Sequence, residues 1–243
     1  MTEEPELSII IPVYNEEQRL EKGLSEVLRY LRKQQFSWEL IVVDDGSADQ
    51  TVAIAEKIFI STENALLIKN PHLGKGGAIK KGVLSARGRW LIFLDVDLAT
   101  PIEELKKFMQ LRKNYDIIIG SRKMKGSRIL VHQPRFREFG GKIFTALTNA
   151  MVTKGISDIT CGFKLYRTEI AQKLFREARL SDWSFDAEII FLAQKMGARI
   201  REAPVSWRDD PHTKVTLLKD TINAFLGLVK IRFNYWVGKY HLS

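Results

Sequence analysis

Short apolar bursts alternate with amphipathic stripes along the first half of the chain. Residues 8–13 form an apolar run of strand length, cut off by Pro12 and the turn-like Asn15. Over 16–33, Leu20, Leu24, Val27, Leu28 and Leu31 recur every three or four positions, the spacing of a helix with one buried face. Strands at 39–43, 65–69 and 90–94 and helices at 49–57 and 75–86 continue the alternation, and 103–112 and 116–120 add one more helix and strand. Strands alternating with helices imply βαβ units, a parallel sheet and right-handed crossovers, so the expected class is α/β.

After Gly120 the character changes. Across 121–142, Arg122, Lys123, Lys125, Arg128, Arg135, Arg137 and Lys142 stand against one acid, Glu138, with little regular periodicity. This reads as a loop over an anionic ligand. A helix at 143–151, a strand at 161–166, helices at 169–178 and 186–196 and a strand at 199–207 follow. From 216 to 236, Leu218, Ile222, Phe225, Leu226, Val229, Phe233 and Trp236 recur at helical steps, with Lys219, Lys230, Arg232 and Lys239 adding charge. Such a helix suits a membrane interface beside anionic heads, and equally suits packing on the domain or on a partner. No internal repeat or low-complexity linker separates these parts, so residue 120 marks a functional division and not a hinge.

Composition narrows the classes. The 243 residues suffice for one large α/β domain, and 38 Lys and Arg against 29 Asp and Glu leave a net charge of +9, which favours an anionic partner. One cysteine, Cys161, excludes an internal disulfide framework and points to a reducing, cytoplasmic compartment. The acidic start at 2–6 is unlike a signal peptide, and no apolar run approaches the ~20 residues of a membrane span. The chain is therefore expected to meet a membrane only peripherally, at its cytoplasmic face. Nucleic-acid binding is disfavoured because basic and aromatic residues are not interleaved as in a stacking platform. A dehydrogenase is disfavoured because no Gly-x-Gly-x-x-Gly follows the first strand, and Gly74-Lys75-Gly76-Gly77 lacks the Gly-Lys-Ser/Thr ending of a P-loop.

The candidate chemistry lies at strand ends. Asp44-Asp45 and Asp95-Val96-Asp97 each close an apolar run, and ligands of open α/β sheets bind outside the carboxyl ends of the strands. Up to four carboxylates would thus flank one crevice, a hard-oxygen set suited to Mg²⁺ or Mn²⁺ holding a diphosphate. Each motif by itself is also compatible with a turn or helix cap. Asp95 and Asp97, two apart, share a site only if the strand bends, and Thr100-Pro101 supplies a break.

Taken in order, Pro12-Val13-Tyr14-Asn15-Glu16, Val43-Asp44-Asp45-Gly46-Ser47, Gly74-Lys75-Gly76-Gly77-Ala78, Asp95-Val96-Asp97, Gly120-Ser121-Arg122 and Cys161-Gly162-Phe163-Lys164 resemble the family 2 glycosyltransferases of the GT-A fold. Within that family the likeness is to the polyprenyl-phosphate sugar transferases, the dolichyl-phosphate glucosyltransferases and mannose synthases. It runs from about residue 8 to 214, and Gly-Lys-Gly-Gly-Ala with Ala203-Pro204-Val205-Ser206-Trp207 resembles the glucosyl branch.

The resemblance implies a Rossmann-like, mostly parallel sheet flanked by helices, in a single domain over 1–243. Its parts would be a nucleotide-sugar half at 8–120, an acceptor half at 121–214 and the amphipathic helix at 215–243. It implies that Pro12, Tyr14, Glu16, Val43, Asp45, Lys75 and Asp95 serve the donor, with Asp45 on the base, Asp95 near ribose and metal, and Asp97 as direct ligand of Mg²⁺ or Mn²⁺. Arg122 and Arg137 resemble the arginines on acceptor phosphate and donor diphosphate, and Arg208 and Lys214 those of a late phosphate-contacting loop. Asp186 and Glu188 resemble an acidic motif that binds sugar hydroxyls or orders those arginines, or else form an ordinary helix N-terminus. Asp158 is read equally as a site or a turn residue. The implied reaction is inverting transfer of a hexose, glucose from UDP-glucose favoured, to dolichyl or undecaprenyl phosphate. The implied partners are a nucleoside diphosphate sugar, a polyprenyl phosphate lipid and a membrane surface, with or without a separate membrane protein. Mannosyl transfer from GDP-mannose and a noncatalytic nucleotide-sugar or anionic-lipid binder are the alternatives.

Overall fold

A computed structural model describes residues 4–210 and 217–242, with side chains omitted for 217–222. The predicted alternation is realised. β1 (Leu7–Val13), α1 (Leu20–Leu31), β2 (Trp38–Asp44), α2 (Thr51–Phe59), β3 (Ala65–Lys69), α3 (Lys75–Ser85), β4 (Trp90–Phe93), a 3₁₀ turn continuing into α4 (Leu105–Leu111), and β5 (Ile117–Ser121) follow in order. The second half supplies β6 (Arg128–Val131), α5 (Arg135–Met151), β7 (Lys164–Arg167), α6 (Thr168–Glu177), α7 (Phe185–Lys195), β8 (Ile200–Pro204), β9 (Ser206–Arg208) and α8 (Leu217–Trp236).

Seven strands join in the order β3-β2-β1-β4-β7-β5-β8, and β6 pairs with β9 in a separate two-stranded sheet. β1 is parallel to both β2 and β4, so the chain builds outward in one direction and then crosses back to the other side of β1. That reversal opens a crevice at the carboxyl ends of β1 and β4. Strand alternation divides the core. Ile10, Ile41 and Val43 pack with α3, α6 and α7 on one face, and Ile9, Ile11, Leu40 and Val42 pack with α1 and α4 on the other.

Three expectations are corrected. The sheet is mostly parallel, as expected, with β7 antiparallel to β4 and β5, but this strand begins at Lys164 and not at 161. The stretch 121–142 is not one loop: it holds β6, and α5 begins at Arg135, eight residues before the expected start, directly after Pro134. Pro134 is extended (φ −53, ψ 137), and its fixed φ makes it a natural lead into a helix. The single strand expected at 199–207 is two strands in different sheets, parting at the buried Val205.

α8 resolves its two readings in part. Ala224, Leu228 and Ile231 are buried, and the helix contacts α5 and α7. Phe225, Leu226, Val229, Phe233 and Trp236 remain exposed, as do Phe136, Phe139, Ile143 and Leu147 at helical spacing on α5. No described helix is long and apolar enough to cross a membrane.

Candidate active site

The residues singled out in the first half converge on the crevice. β4 ends at Phe93, so Asp95 and Asp97 both lie beyond the strand. The bend that lets them share a site comes earlier than Thr100-Pro101. Leu98 takes a left-handed conformation (φ 49), its N–H donates to the Asp95 carbonyl at 3.1 Å, and the Ala99 N–H donates to Asp97 Oδ1 at 2.9 Å. A buried leucine in that conformation is a local strain, the kind that fixes functional loops. Burial and the charge of Asp95 push the Asp97 carboxyl upward, against the Ala99 N–H, Arg19 and Lys75, which favour the anion.

Of the four strand-end carboxylates, two are committed elsewhere. Asp44 closes its own turn, accepting from the N–H groups of Gly46 and Ser47, both at 3.2 Å. Asp45 is buried and accepts from the N–H groups of Leu73 and Gly74, each at 2.9 Å, which pins the 70–74 segment. His72 from that segment sets its Nδ1 2.9 Å from Asp45 Oδ2 and stacks on Tyr14, ring centroids 4.3 Å apart. Tyr14, Asp45 and His72 therefore form one wall, at the end of β1 and β2. Val43 is wholly buried, so only its main chain can face a donor. Pro12 sits opposite Val43 in the β1–β2 register. Glu16 pairs with Arg19, whose guanidinium also reaches Asp210 at 2.7 Å and so ties the first loop to the one after β9.

Lys75 opens α3, and its Nζ lies 2.5 Å from Asp95 Oδ1. Gly162 stands on the other side of that carboxylate, since a Cβ there would come within 2.5 Å of Asp95 Oδ2. Trp183 lies with its ring centroid 5.5 Å from Lys75 Nζ and keeps 41% of its surface exposed.

The second half contributes Arg122, immediately after β5. Asp158, with no exposed surface, accepts from Arg122 Nε and Nη2 at 2.7 Å each and from its N–H at 2.9 Å, and Thr160 Oγ1 accepts from Nη2 at 3.0 Å. The Trp207 ring lies 5.3 Å from the guanidinium carbon. Burial works against the Arg122 charge, but Asp158 outweighs it and the guanidinium pKa is raised, while the Asp158 carboxyl is held below the usual range despite its burial. Glu202 in turn accepts from the N–H groups of Ser157 and Asp158 at 2.9 and 3.0 Å. Asp158 is thus the residue that holds Arg122.

Arg137 lies in the first turn of α5 near the Phe136 ring, and its buried Nε has no hydrogen-bond partner among the described residues. Arg208 is exposed at the end of β9, and its N–H donates to the Ala99 carbonyl at 2.9 Å, which places it beside the Asp97 loop. Lys214 lies outside the described residues. Glu188 is neither a sugar ligand nor an arginine partner: it accepts from Tyr240 Oη at 2.6 Å and from the N–H groups of Arg179 and Leu180 at 3.0 and 2.8 Å. Asp186 pairs with the buried Lys164, and not with an arginine. Burial pushes the Cys161 thiol up to about 11, so it is no nucleophile.

His72, Arg19, Trp183 and Lys164 were not predicted. His72 and Trp183 sit in irregular segments with no periodicity, and Lys164 sits in a strand where a lysine gives no sign of burial.

A divalent cation fits this donor set. No group of three or more His, Cys, Asp or Glu side chains clusters as a metal cage among the described residues. Asp95 and Asp97 offer carboxylates that repel one another. Mg²⁺-type ions are held by one or two carboxylates, with water and substrate phosphates completing the shell.

A mostly parallel α/β sheet with an acidic loop where its strand order reverses is built to bind a ligand at that point. The chain belongs to glycosyl transferase family 2, whose model matches residues 8–175. It is 32% identical to the dolichyl-phosphate beta-glucosyltransferase of Dictyostelium discoideum over 249 residues, 96% of this chain and 75% of that one. It is 34% identical to the dolichyl-phosphate beta-glucosyltransferase of Mus musculus over 253 residues, covering 98% and 78%. Its fold is similar to that of glucosyl-3-phosphoglycerate synthase from Mycobacterium tuberculosis, crystallised with Mn²⁺, UDP-glucose and phosphoglyceric acid. The TM-score is 0.65 at 17% identity, over 93% of this chain and 79% of that one.

Proposed function

We propose that the protein transfers glucose from UDP-glucose to a polyprenyl phosphate of the dolichyl type, with inversion. The observation that carries this reading is the clamped Arg122: Asp158 and Thr160 take up its Nε and Nη2, and Nη1 is left to donate to a phosphate oxygen. The names of the relatives support glucose and dolichyl phosphate, and the UDP complexes of the fold neighbour support the nucleotide. In this reading 8–120 forms the donor half and 121–214 the acceptor half.

Tyr14, Glu16 and Asp45 line the nucleoside end, and Lys75 faces the diphosphate. Asp95 and Asp97 would hold Mg²⁺ or Mn²⁺, which when bound neutralises the diphosphate and stabilises it as leaving group. Arg122, with Arg137 and Arg208, holds the acceptor phosphate. One of that phosphate's oxygens attacks the anomeric carbon as the bond from that carbon to the donor phosphate oxygen breaks, and the electron pair leaves with UDP. No general base is needed, because a phosphate monoester with its second pKa near 6 is already largely ionised at neutral pH. The exposed apolar stripes of α5 and α8, with Lys142, Lys230 and Arg232 beside them, would rest on the membrane carrying the lipid.

Purified protein incubated with Mn²⁺ or Mg²⁺, UDP- and GDP-sugars and a short polyprenyl phosphate tests the reading by mass spectrometry. Glucosyl phospholipid formed from UDP-glucose alone is expected. Mannosyl lipid from GDP-mannose, or donor binding without lipid product, would overturn it.

A further inference from the structure

The carboxylate just beyond β2 is fully spent within the protein. Asp45 Oδ1 accepts from the Leu73 N–H at 2.9 Å and more loosely from Asn70 Nδ2 at 3.4 Å, while Oδ2 accepts from the Gly74 N–H at 2.9 Å and lies 2.9 Å from His72 Nδ1. A carboxylate offers about four lone-pair sites, and these four donors fill them. The Asp45 side chain is also only 4% exposed, so a ligand in the crevice meets what covers it.

That cover is His72. Its side chain is 58% exposed, and its ring lies against Tyr14 with the two planes 26° from parallel. Nδ1 is flanked by two acceptors, Asp45 Oδ2 at 2.9 Å and the Asp45 carbonyl at 3.0 Å, and so carries a proton. In the neutral imidazole this leaves Nε2 as an acceptor, and the ring makes no other hydrogen bond among the described residues. The main chain is held from below as well. Gly46 takes a left-handed conformation (φ 81), and a Cβ there would come within 3.0 Å of the His72 main-chain nitrogen.

Pyrimidine bases differ at the edge that such an acceptor reads. Uracil has an imide N–H between two carbonyls, whereas cytosine has at the same position a bare ring nitrogen, itself an acceptor. A site built to receive an N–H rejects an analogue that lacks it, because its own polar group is then left unpaired.

We propose that His72 is the specificity-determining residue for the base of the donor: its Nε2 accepts from the imide N–H of uracil, with Tyr14 backing the ring and Asp45 fixing its tautomer. Asp45 then acts on the base through His72 and not directly. This rests on the donor reading proposed above and deepens it. The acceptor plays no part.

The test is binding of UDP and of CDP by calorimetry with Mn²⁺, in wild type, H72A and H72F, each with its melting temperature. The two nucleotides share ribose and diphosphate, so metal and phosphate contacts cancel in their ratio. Wild type is expected to prefer UDP by about tenfold or more, and H72A to lose about tenfold for UDP but less than about twofold for CDP, the scale of one hydrogen bond. H72F keeps an aromatic ring against Tyr14 without the acceptor and should lose the same preference. A preference retained in H72F would overturn the proposal in favour of stacking alone. Equal losses for UDP and CDP in H72A, or undiminished UDP affinity, would overturn it too. If H72A fails to fold, H72F gives the same comparison. A wild type that binds UDP and CDP alike would overturn this proposal alone, whereas one that binds neither would overturn the functional reading as well.

Discussion

Asp158 shows how one residue decides what another can do. Two readings of it, turn or site, were open from sequence, and the bidentate contacts to Arg122 settle its structural task. Exchanging it for alanine leaves a buried guanidinium without its counter-ion, at a cost of about 3 kcal/mol. For a chain of this size the melting point should fall by about 10 °C. The pH dependence has a definite sign. The folded Asp158 carboxyl lies below its unfolded value, so its stabilisation is present above pH about 4 and is lost as pH falls through that range. The gap between wild type and D158A should therefore narrow in acid melts. Gly162 makes the opposite kind of prediction. The three atoms nearest a methyl there all belong to the Asp95 carboxylate, so G162A should keep its melting point within about 3 °C while turnover drops about a hundredfold, the scale of a small displacement in an active site.

At the scale of elements, periodicity served well where one face of a helix or strand is buried and poorly elsewhere. The stripe Leu20, Leu24, Val27, Leu28 and Leu31 is wholly buried in α1. β6 and the first two turns of α5 escaped prediction because their side chains are exposed or half-buried, so no buried face writes a period into them. α7 is the reverse case, with Phe185 to Ala193 buried all round, acids included. Its acids resemble a family motif or else an ordinary helix start, whereas in the structure Asp186 and Glu188 are anchored by Lys164 and Tyr240. The exposed apolar residues of α5 and α8 carry an element-level prediction. The protein should cosediment with vesicles rich in anionic lipid, less so at high salt, and F225E/F233E should abolish most of the binding without lowering the melting point. Equal sedimentation of the variant would remove these helices from the membrane contact.

For the whole molecule, the placement of the site follows from one topological event, the return of the chain to the far side of β1. That reversal sets the ends of β1 and β4 side by side, and the antiparallel β7 then brings the 158–164 segment alongside them. The excess of positive charge agrees with partners that are anionic at both ends of the proposed reaction.

The sequence by itself determined the α/β alternation of the first half, the acidic and basic motifs and the family they resemble, because strand runs, helical stripes and strand-end residues are local properties. The tertiary structure alone decided which carboxylates remain for a cation. Asp44 and Asp45 are consumed by backbone N–H groups, Asp45's from more than twenty-five residues away. It also decided that Asp158 serves Arg122, that Lys164 is buried and that β7 runs antiparallel. Apart from Asp44's own turn, each of these is a contact between segments distant in the chain, and the energy of such a contact leaves no period in the residues that make it.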